Sequence, residues 1–299
     1  MSNRVSLSPR DLSLLQFLSW TPATTAQLLR VSDAFEGTRF LDERRLRERL
    51  QSLGGEGIVR AWSTAHAGGG LQNYYKLTPL GFDLSQGTEI QRPPRAFFID
   101  VSPSLFEHTF RLAEVIVQVV RAAHASRVAI ERFIRENELT FAVGESRVQP
   151  DGFFRLHASE RPFNLAFEID NSTEPIDSHA VNSLRTKVTV YDAYQEQMLA
   201  QWRAGDKAWE RPRFRVVFLT RSVTRAYHIL SLVAESTRHT TRRLVYAATF
   251  DSFVSESEPL HAPIFLDHVG VWQSLIDLHP TAAHRKEPVR LGRFVESRL

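Results

Sequence analysis

Residues Arg147 to Asp170, RVQPDGFFRLHASERPFNLAFEID, read as two strands with period-two alternation joined by a short connection. Val148, Pro150, Gly152, Phe154 and Leu156 fall on one face of the first strand, and Gln149, Asp151, Phe153 and Arg155 on the other. In the second strand Phe163, Leu165, Phe167 and Ile169 share a face, and Asn164, Ala166, Glu168 and Asp170 share its opposite. A hairpin closing over His157–Pro162 pairs residues whose numbers sum to 319, setting Leu156 against Phe163, Phe154 against Leu165 and Asp151 against Glu168. Like charges directly opposite one another are destabilising. Three carboxylates on one small patch, Asp151, Glu168 and Asp170, therefore ask for a compensating cation.

One candidate lies just downstream. A helix is expected from Ser178 to Trp202, with Ala180, Leu184, Lys187, Tyr191, Tyr194 and Met198 on its inward stripe. Burying an ammonium without a partner is costly, so Lys187 on that stripe either snorkels to its edge or meets the carboxylate face. Only four of the 37 basic residues are lysines, so each one retained draws notice.

The hydrophobic run FRVVFLT, the helical VTRAYHILSLVAEST and the strand-like RRLVYAATF then form a strand–helix–strand sequence, which implies a parallel crossover. Upstream, residues 104–124 form an amphipathic helix with Leu105, His108, Leu112, Val115, Val119 and Ala122 inward, His108 reading first as a core histidine and Glu114 as a salt-bridging residue. Val128–Ile134 reads as a strand, and Glu136–Glu145 as a polar connection interrupted by FAV.

The first 85 residues have a different texture. Ser8, Pro9 and Asp11 carry helix-start signals, and Leu12, Leu15 and Leu18 or Ser19 follow at helical spacing. Thr21-Pro22 breaks that helix, and Thr24 or Thr25 caps a short second one with Ala26 and Leu29 inward. The third, LDERRLRERLQSLGGEGIV, buries Leu46, Leu50 and Leu53 and crowds its remaining surface with Arg44, Arg45, Arg47 and Arg49. Ile58–Arg60 and NYYKLT flank the glycine-rich tip AHAGGGLQ, and Leu77-Thr78-Pro79-Leu80-Gly81 starts a further helix. Short helices followed by a hairpin give a winged helix-turn-helix, whose basic helix would enter the major groove with the wing beside it. Arg44, Arg45, Arg47 and Arg49 are the candidate contacts to double-stranded DNA, with Lys76 added from the wing.

The expected architecture is mixed α+β and α/β: a winged helix-turn-helix over 1–85, a proline-bearing linker over 86–103, an αβββαβ core with a mixed sheet over 104–250, and an extension over 251–299 with a basic tail. A formal net charge of +3 is compatible with a nucleic-acid partner. Cysteine is absent, which excludes disulfides and thiolate metal sites. No apolar run approaches the roughly 20 residues that span a bilayer, and the start lacks an apolar segment like a signal peptide. A cytoplasmic protein with no membrane partner is the expectation, with a homodimer left open.

Carboxylate oxygens on one patch suit Mg²⁺ or Mn²⁺, which can polarise a phosphodiester and generate hydroxide near neutral pH. At these residues the chain resembles the PD-(D/E)XK nuclease superfamily: Pro150-Asp151 reads as the PD, and Glu168-Ile169-Asp170 stands where E-x-K is expected. The resemblance implies a restriction-endonuclease-like core with Asp151, Glu168 and Asp170 as metal ligands or water positioners. Asp170 occupies the lysine position, and Lys187 would be a migrated replacement. Without it the patch would be a binding or vestigial site. Over residues 8–200 the chain also resembles the replication-relaxation family of plasmid and mobile-element proteins, on SPRDLSLLQFL, RRLRERLQSLGGEGIVR, YYKLTPLG, VQPDGFFRL and FEIDNSTEP. That resemblance implies a winged helix joined to a nuclease-like domain, acting in plasmid replication, DNA relaxation or mobilisation. The alternative is a non-catalytic winged-helix regulator.

Overall fold

The computed structural model describes residues 6–65, 70–159, 161–171, 183–205 and 213–277. The wing tip at 66–69, the break after Asn171, Ala180 with the expected start of the lysine helix, and the basic tail lie outside the described residues. The chain divides into two compact units, Met1–Ala125 and Ser126–Leu299.

In the first unit, α1 (Pro9–Trp20) is followed by β1 (Ala23–Thr24), α2 (Thr25–Val31), α3 (Glu43–Gly55), β2 (Val59–Ala65), β3 (Leu71–Leu77), α4 (Pro79–Gln86) and α5 (Pro103–Ala125). This is a winged helix-turn-helix, its three strands ordered β1-β3-β2. Ser8 and Asp11 close a reciprocal cap at the start of α1, with Pro9 in the first turn. Leu14, Leu15, Phe17 and Leu18 are buried while Leu12 is exposed, because Asp11 turns inward to meet Arg49 and rotates the stripe away from Leu12. Thr24 caps α2 in the same reciprocal way with Gln27. That places Thr25 first in the helix, so Thr25, Leu28 and Val31 face inward, while the expected Ala26 is exposed and Leu29 half-buried. Leu46, Leu50 and Leu53 of α3 are buried as their spacing requires.

Phe97 and Phe98 dock the 86–103 segment by packing edge-on against Phe82 of α4, with ring centroids 6.0 and 6.2 Å away. Helix α5 belongs to this unit, buries Leu112, Val115, Val119 and Ala122, and leaves Leu105 exposed and His108 half-buried. Glu114 accepts from Gln27 at 2.9 Å and pairs with Arg30, tying α5 to α2.

The second unit contains β4 (Ala129–Arg135), β5 (Phe141–Val143), β6 (Ser146–Val148), β7 (Gly152–Ala158), β8 (Arg161–Asp170), α6 (Leu184–Arg203), β9 (Arg215–Thr220), α7 (Val223–Ser236), β10 (Val245–Thr249), α8 (Phe250–Ser255), β11 (Phe265–Asp267) and β12 (Trp272–Gln273). Seven strands form one mixed sheet ordered β12-β11-β10-β9-β8-β7-β4. β8, β9 and β10 are parallel to one another, with α6 and α7 as their crossovers, and the remaining pairings are antiparallel. β4, β7 and β8 run antiparallel, and α6 returns the chain to parallel β9, which is the strand and helix order of a restriction-endonuclease-like core.

The β7–β8 register matches the alternation: Leu156 faces Phe163, Phe154 faces Leu165, and Gly152 faces Phe167. Both faces are buried rather than one. Phe154 and Phe167 pack on the side of Phe253 from α8, with centroids 5.9 and 6.1 Å apart along the chain of rings. Phe153 and Ala166 join the core beneath α6 and α7. The FAV interruption is a strand of its own. Phe141 is fully buried among Tyr191, Tyr194 and Phe214, at 5.2, 4.8 and 5.0 Å. Burying an aromatic side chain is worth about 1.5–3 kcal/mol, and here that burial clamps α6 against the β5–β6 hairpin.

Candidate functional site

The arginines of α3 divide by what holds them. Asp42 caps the helix, accepting from the Arg45 backbone N–H at 2.9 Å. Arg44, Arg45 and Arg47 point outward and, among the described residues, meet only local acids: Glu48 at 3.0 Å, Asp42 at 3.9 Å, and Glu43. Exposed pairs of this kind contribute about 0–1 kcal/mol, so exchanging them for phosphate oxygens costs little. Arg49 instead grips the buried carboxylate of Asp11 through two hydrogen bonds of 2.9 and 2.8 Å and reaches the Ser6 carbonyl at 3.2 Å. Burial pushes the Asp11 carboxyl up, but the bonds from Arg49 and Ser8 outweigh it and hold it below the ordinary value. Arg49 is thus a brace between α3 and α1.

Lys76 is buried on β3, where its ammonium donates to the Ile99 carbonyl at 2.6 Å and lies 5.8 Å from the centre of the Phe97 ring. Burial lowers its pKa to about 8. Its charge is directed inward, and the outward cation of this hairpin is Arg60, stacked 5.3 Å over Trp62. Lys76 and Arg49 thus stand apart from Arg44, Arg45 and Arg47, whose side chains reach solvent.

The carboxylate patch forms where β7 enters the sheet and β8 leaves it. Asp151 directly precedes β7; its backbone N–H donates to the Phe167 carbonyl at 3.0 Å and its carboxylate accepts from the Ile169 N–H. One main-chain bond and one bond to the Asp151 carboxylate thereby set Asp151 beside Glu168, beyond the last ladder pair. Glu168 and Asp170, two residues apart, both face α6 and α7. Glu168 is buried, and both its oxygens are engaged: Lys187 Nζ donates to Oε2 at 2.9 Å and the Tyr191 hydroxyl donates to Oε1. Lys187 and Tyr191 are one helical turn apart, so α6 presents them together. Burial raises the Glu168 pKa to about 7; Lys187 opposes the shift, and the nearby Asp151 charge adds to it.

Asp170 takes a different partner. Arg225, in the first turn of α7, binds it through Nε at 2.7 Å and Nη2 at 3.0 Å, a bidentate fork. The patch therefore holds three carboxylates and two cations drawn from two helices. Asp151 and Glu168 offer the hard oxygen donors that Mg²⁺ and Mn²⁺ favour, and the proximity of the two charges suits a divalent cation between them. Both carboxylates of β8 already have their oxygens engaged, Glu168 by Lys187 and Tyr191 and Asp170 by a guanidinium fork, so an ion would share those oxygens with their present donors.

Sequence patterning brought Asp151, Glu168, Asp170 and Lys187 together without Tyr191 and Arg225. Tyr191 was legible as a stripe residue, and its i,i+4 spacing from Lys187 carried the further signal. Arg225 had only its place at the start of the helix that follows a parallel strand.

No curated protein matches the chain. Among solved structures, Bacillus subtilis PadR in complex with operator DNA is 14% identical with a TM-score of 0.23, over 37% of this chain and 65% of that one. The restriction endonuclease FokI is 10% identical with a TM-score of 0.27, over 84% of this chain and 45% of that one. The chain thus spans less than two thirds of either structure. The Replication-relaxation family profile matches residues 17–207, which takes in the winged helix from the end of α1 onward, the β7–β8 hairpin and α6. The chain belongs to the Replication-relaxation family.

Proposed function

We propose that this chain is a DNA-binding protein of a plasmid or other mobile element, whose winged helix engages duplex DNA and whose second unit cleaves a phosphodiester with Mg²⁺ or Mn²⁺. The observation that carries the nuclease reading is Lys187. β8 has an aspartate where E-x-K needs a lysine, yet α6 brings an ammonium to 2.9 Å from the Glu168 carboxylate. The carboxylate–lysine pair is thereby rebuilt in space from a different element.

Asp151 and Glu168 would hold the ion, which supplies Lewis acidity and a water of lowered pKa. Lys187 would orient the attacking water and offset negative charge developing on the phosphate. Tyr191 fixes the Glu168 rotamer. Arg44, Arg45 and Arg47 on α3, with Arg60 on the wing strand, would supply the phosphate and base contacts.

The test is cleavage of supercoiled plasmid with Mg²⁺ or Mn²⁺. Wild type is expected to nick or linearise it and Asp151→Ala to leave it intact; identical product patterns would remove the enzyme reading. A second reading, a non-catalytic replication or transcription regulator with a vestigial site, draws on the engagement of both Glu168 oxygens and of Asp170. Duplex binding that needs no metal and survives Glu168→Gln, in a protein that cuts nothing, would favour it.

A further inference from the structure

Asp170 poses a problem that the nuclease reading leaves open. A third carboxylate at the position of a lysine should weaken a site meant to gather negative phosphate. The geometry points to a charge exchange: we propose that Asp170 is a positioning residue that holds Arg225 as the second cation of the site, and that Arg225 contacts a phosphate flanking the scissile bond. The inference rests on the nuclease reading and assigns Asp170 a role other than metal ligation.

Three observations carry it. First, Glu168 and Asp170 sit on the same face of β8, about 7 Å apart by strand rise, so their partners Lys187 and Arg225 bring two cations to one place. Second, the backbone that carries the Arg225 fork is held at the strand end. The Arg225 main-chain N–H donates to Ser222 Oγ at 3.2 Å as part of the α7 cap. Thr220, paired with Asp170 across the β8–β9 ladder, donates to the Ser222 carbonyl at 2.8 Å. Strand end, cap and guanidinium are thereby tied into one unit beside the carboxylates. Third, guanidinium is the cation whose planar donor array suits phosphate. An arginine bound through Nε and Nη2 keeps its plane fixed and its charge undiminished. Asp170 then does indirectly what the lysine of E-x-K does directly, by fixing a cation beside the ion site.

The pair is tested as Asp170→Asn/Arg225→Gln, which keeps polar side chains of similar shape and removes both charges. Full-length protein is titrated calorimetrically with Mn²⁺ alone. It is then titrated with thymidine 3′,5′-bisphosphate in the presence of Mn²⁺, a probe small enough not to need the winged helix. Thermal melting checks the fold. The expected result is Mn²⁺ affinity within three-fold of wild type and bisphosphate affinity reduced at least ten-fold.

Loss of Mn²⁺ affinity matching that of Asp151→Asn would make Asp170 a ligand and overturn the inference. Unchanged affinity for both probes would make the pair purely structural and overturn it equally. If the neutral pair does not fold, Asp170→Lys/Arg225→Glu keeps an ion pair and moves the cation onto the strand. Bisphosphate affinity restored to within three-fold of wild type supports the inference, and affinity ten-fold weaker refutes it. Failure of the nuclease reading is separate: wild-type protein would then bind no Mn²⁺ and cut no plasmid, while the bisphosphate titration, repeated without metal, would still report on Arg225.

Discussion

Replacing Lys187 with methionine isolates the balance within the carboxylate patch. Deleting one partner of a buried ion pair commonly costs 3–5 kcal/mol, because it strands a charge. Here the cost is capped by an escape. Glu168 is buried with its pKa already raised from 4.5 to about 7, and without Lys187 it rises further and simply stays protonated. Below pH 6 the carboxyl is neutral in both proteins, and the variant loses little. Above that, each pH unit beyond about 7 costs the variant an additional ~1.4 kcal/mol, since wild type ionises there and the variant does not.

The sign follows from linkage. A folded-state pKa raised above the unfolded one contributes stability that is present at low pH and lost as pH rises through the folded value. Wild type stops losing near pH 7, and Lys187→Met continues. The expected destabilisation is therefore near zero at pH 6 and grows from pH 8 to pH 9, by on the order of 1 kcal/mol per pH unit while Glu168 of the variant stays protonated. The Lys187 side chain is only 19% exposed, so solvent screening removes little of this. Urea denaturation at the three pH values measures it, with Glu168→Gln/Lys187→Met as the control that should lose the pH dependence. Equal destabilisation at pH 6 and pH 9, or none at either, would refute the account of the patch.

Gly81 on α4 lies against the backbone of Ile58, where an added Cβ would sit 2.1 Å from the carbonyl oxygen. Gly81→Ala should therefore lower stability by about 2–3 kcal/mol, whereas Gly55→Ala, with no atom within 4 Å of its Cβ, should be neutral or stabilising by thermal melting. Lys76, with its pKa lowered from 10.5 to about 8, makes wild type more stable as pH rises between those values, because the unfolded chain holds the proton longer. Lys76→Met should abolish that rise in denaturation curves at pH 7.5 and 10. Neutralising Arg44, Arg45 and Arg47 to glutamine should flatten the slope of log affinity against log salt by about 2.7, measured by fluorescence anisotropy on a duplex; an unchanged slope would exclude α3 as the contacting helix.

Local patterns were the legible part of this chain. The hairpin register could be read because alternation and a short connection over-determine pairing, and Leu46, Leu50 and Leu53 because one helix period is enough. What escaped was set by partners distant in sequence. Leu12 has the spacing of a core residue, but Asp11 turns inward, drawn by an arginine 38 residues away. Lys76 and Arg49 looked like surface cations because a lone sequence does not reveal a carbonyl or buried acid waiting for them. Phe141 looked like an interruption in a polar connection, because its three aromatic neighbours come from α6 and from the residue just before β9.

The same dependence on distant partners bears on the departure from E-x-K. Read along β8 alone, an aspartate at 170 removes the site's cation and argues for a relic. Read across the sheet, Glu168 and Asp170 each meet a cation from a different crossover helix, Lys187 from α6 and Arg225 from α7. With Glu168 ionised, three carboxylates against two cations leave these five groups one negative charge in excess. A divalent ion would turn that into one positive charge, and a single phosphodiester would bring it to neutrality. Of the five groups Glu168 and Asp170 are buried, while Asp151, Lys187 and Arg225 are half-buried; burying an acid is costly unless it is matched, and Lys187 and Arg225 supply the match. Matched charge at the end of β8 is the arrangement that the proposed anionic substrate would require.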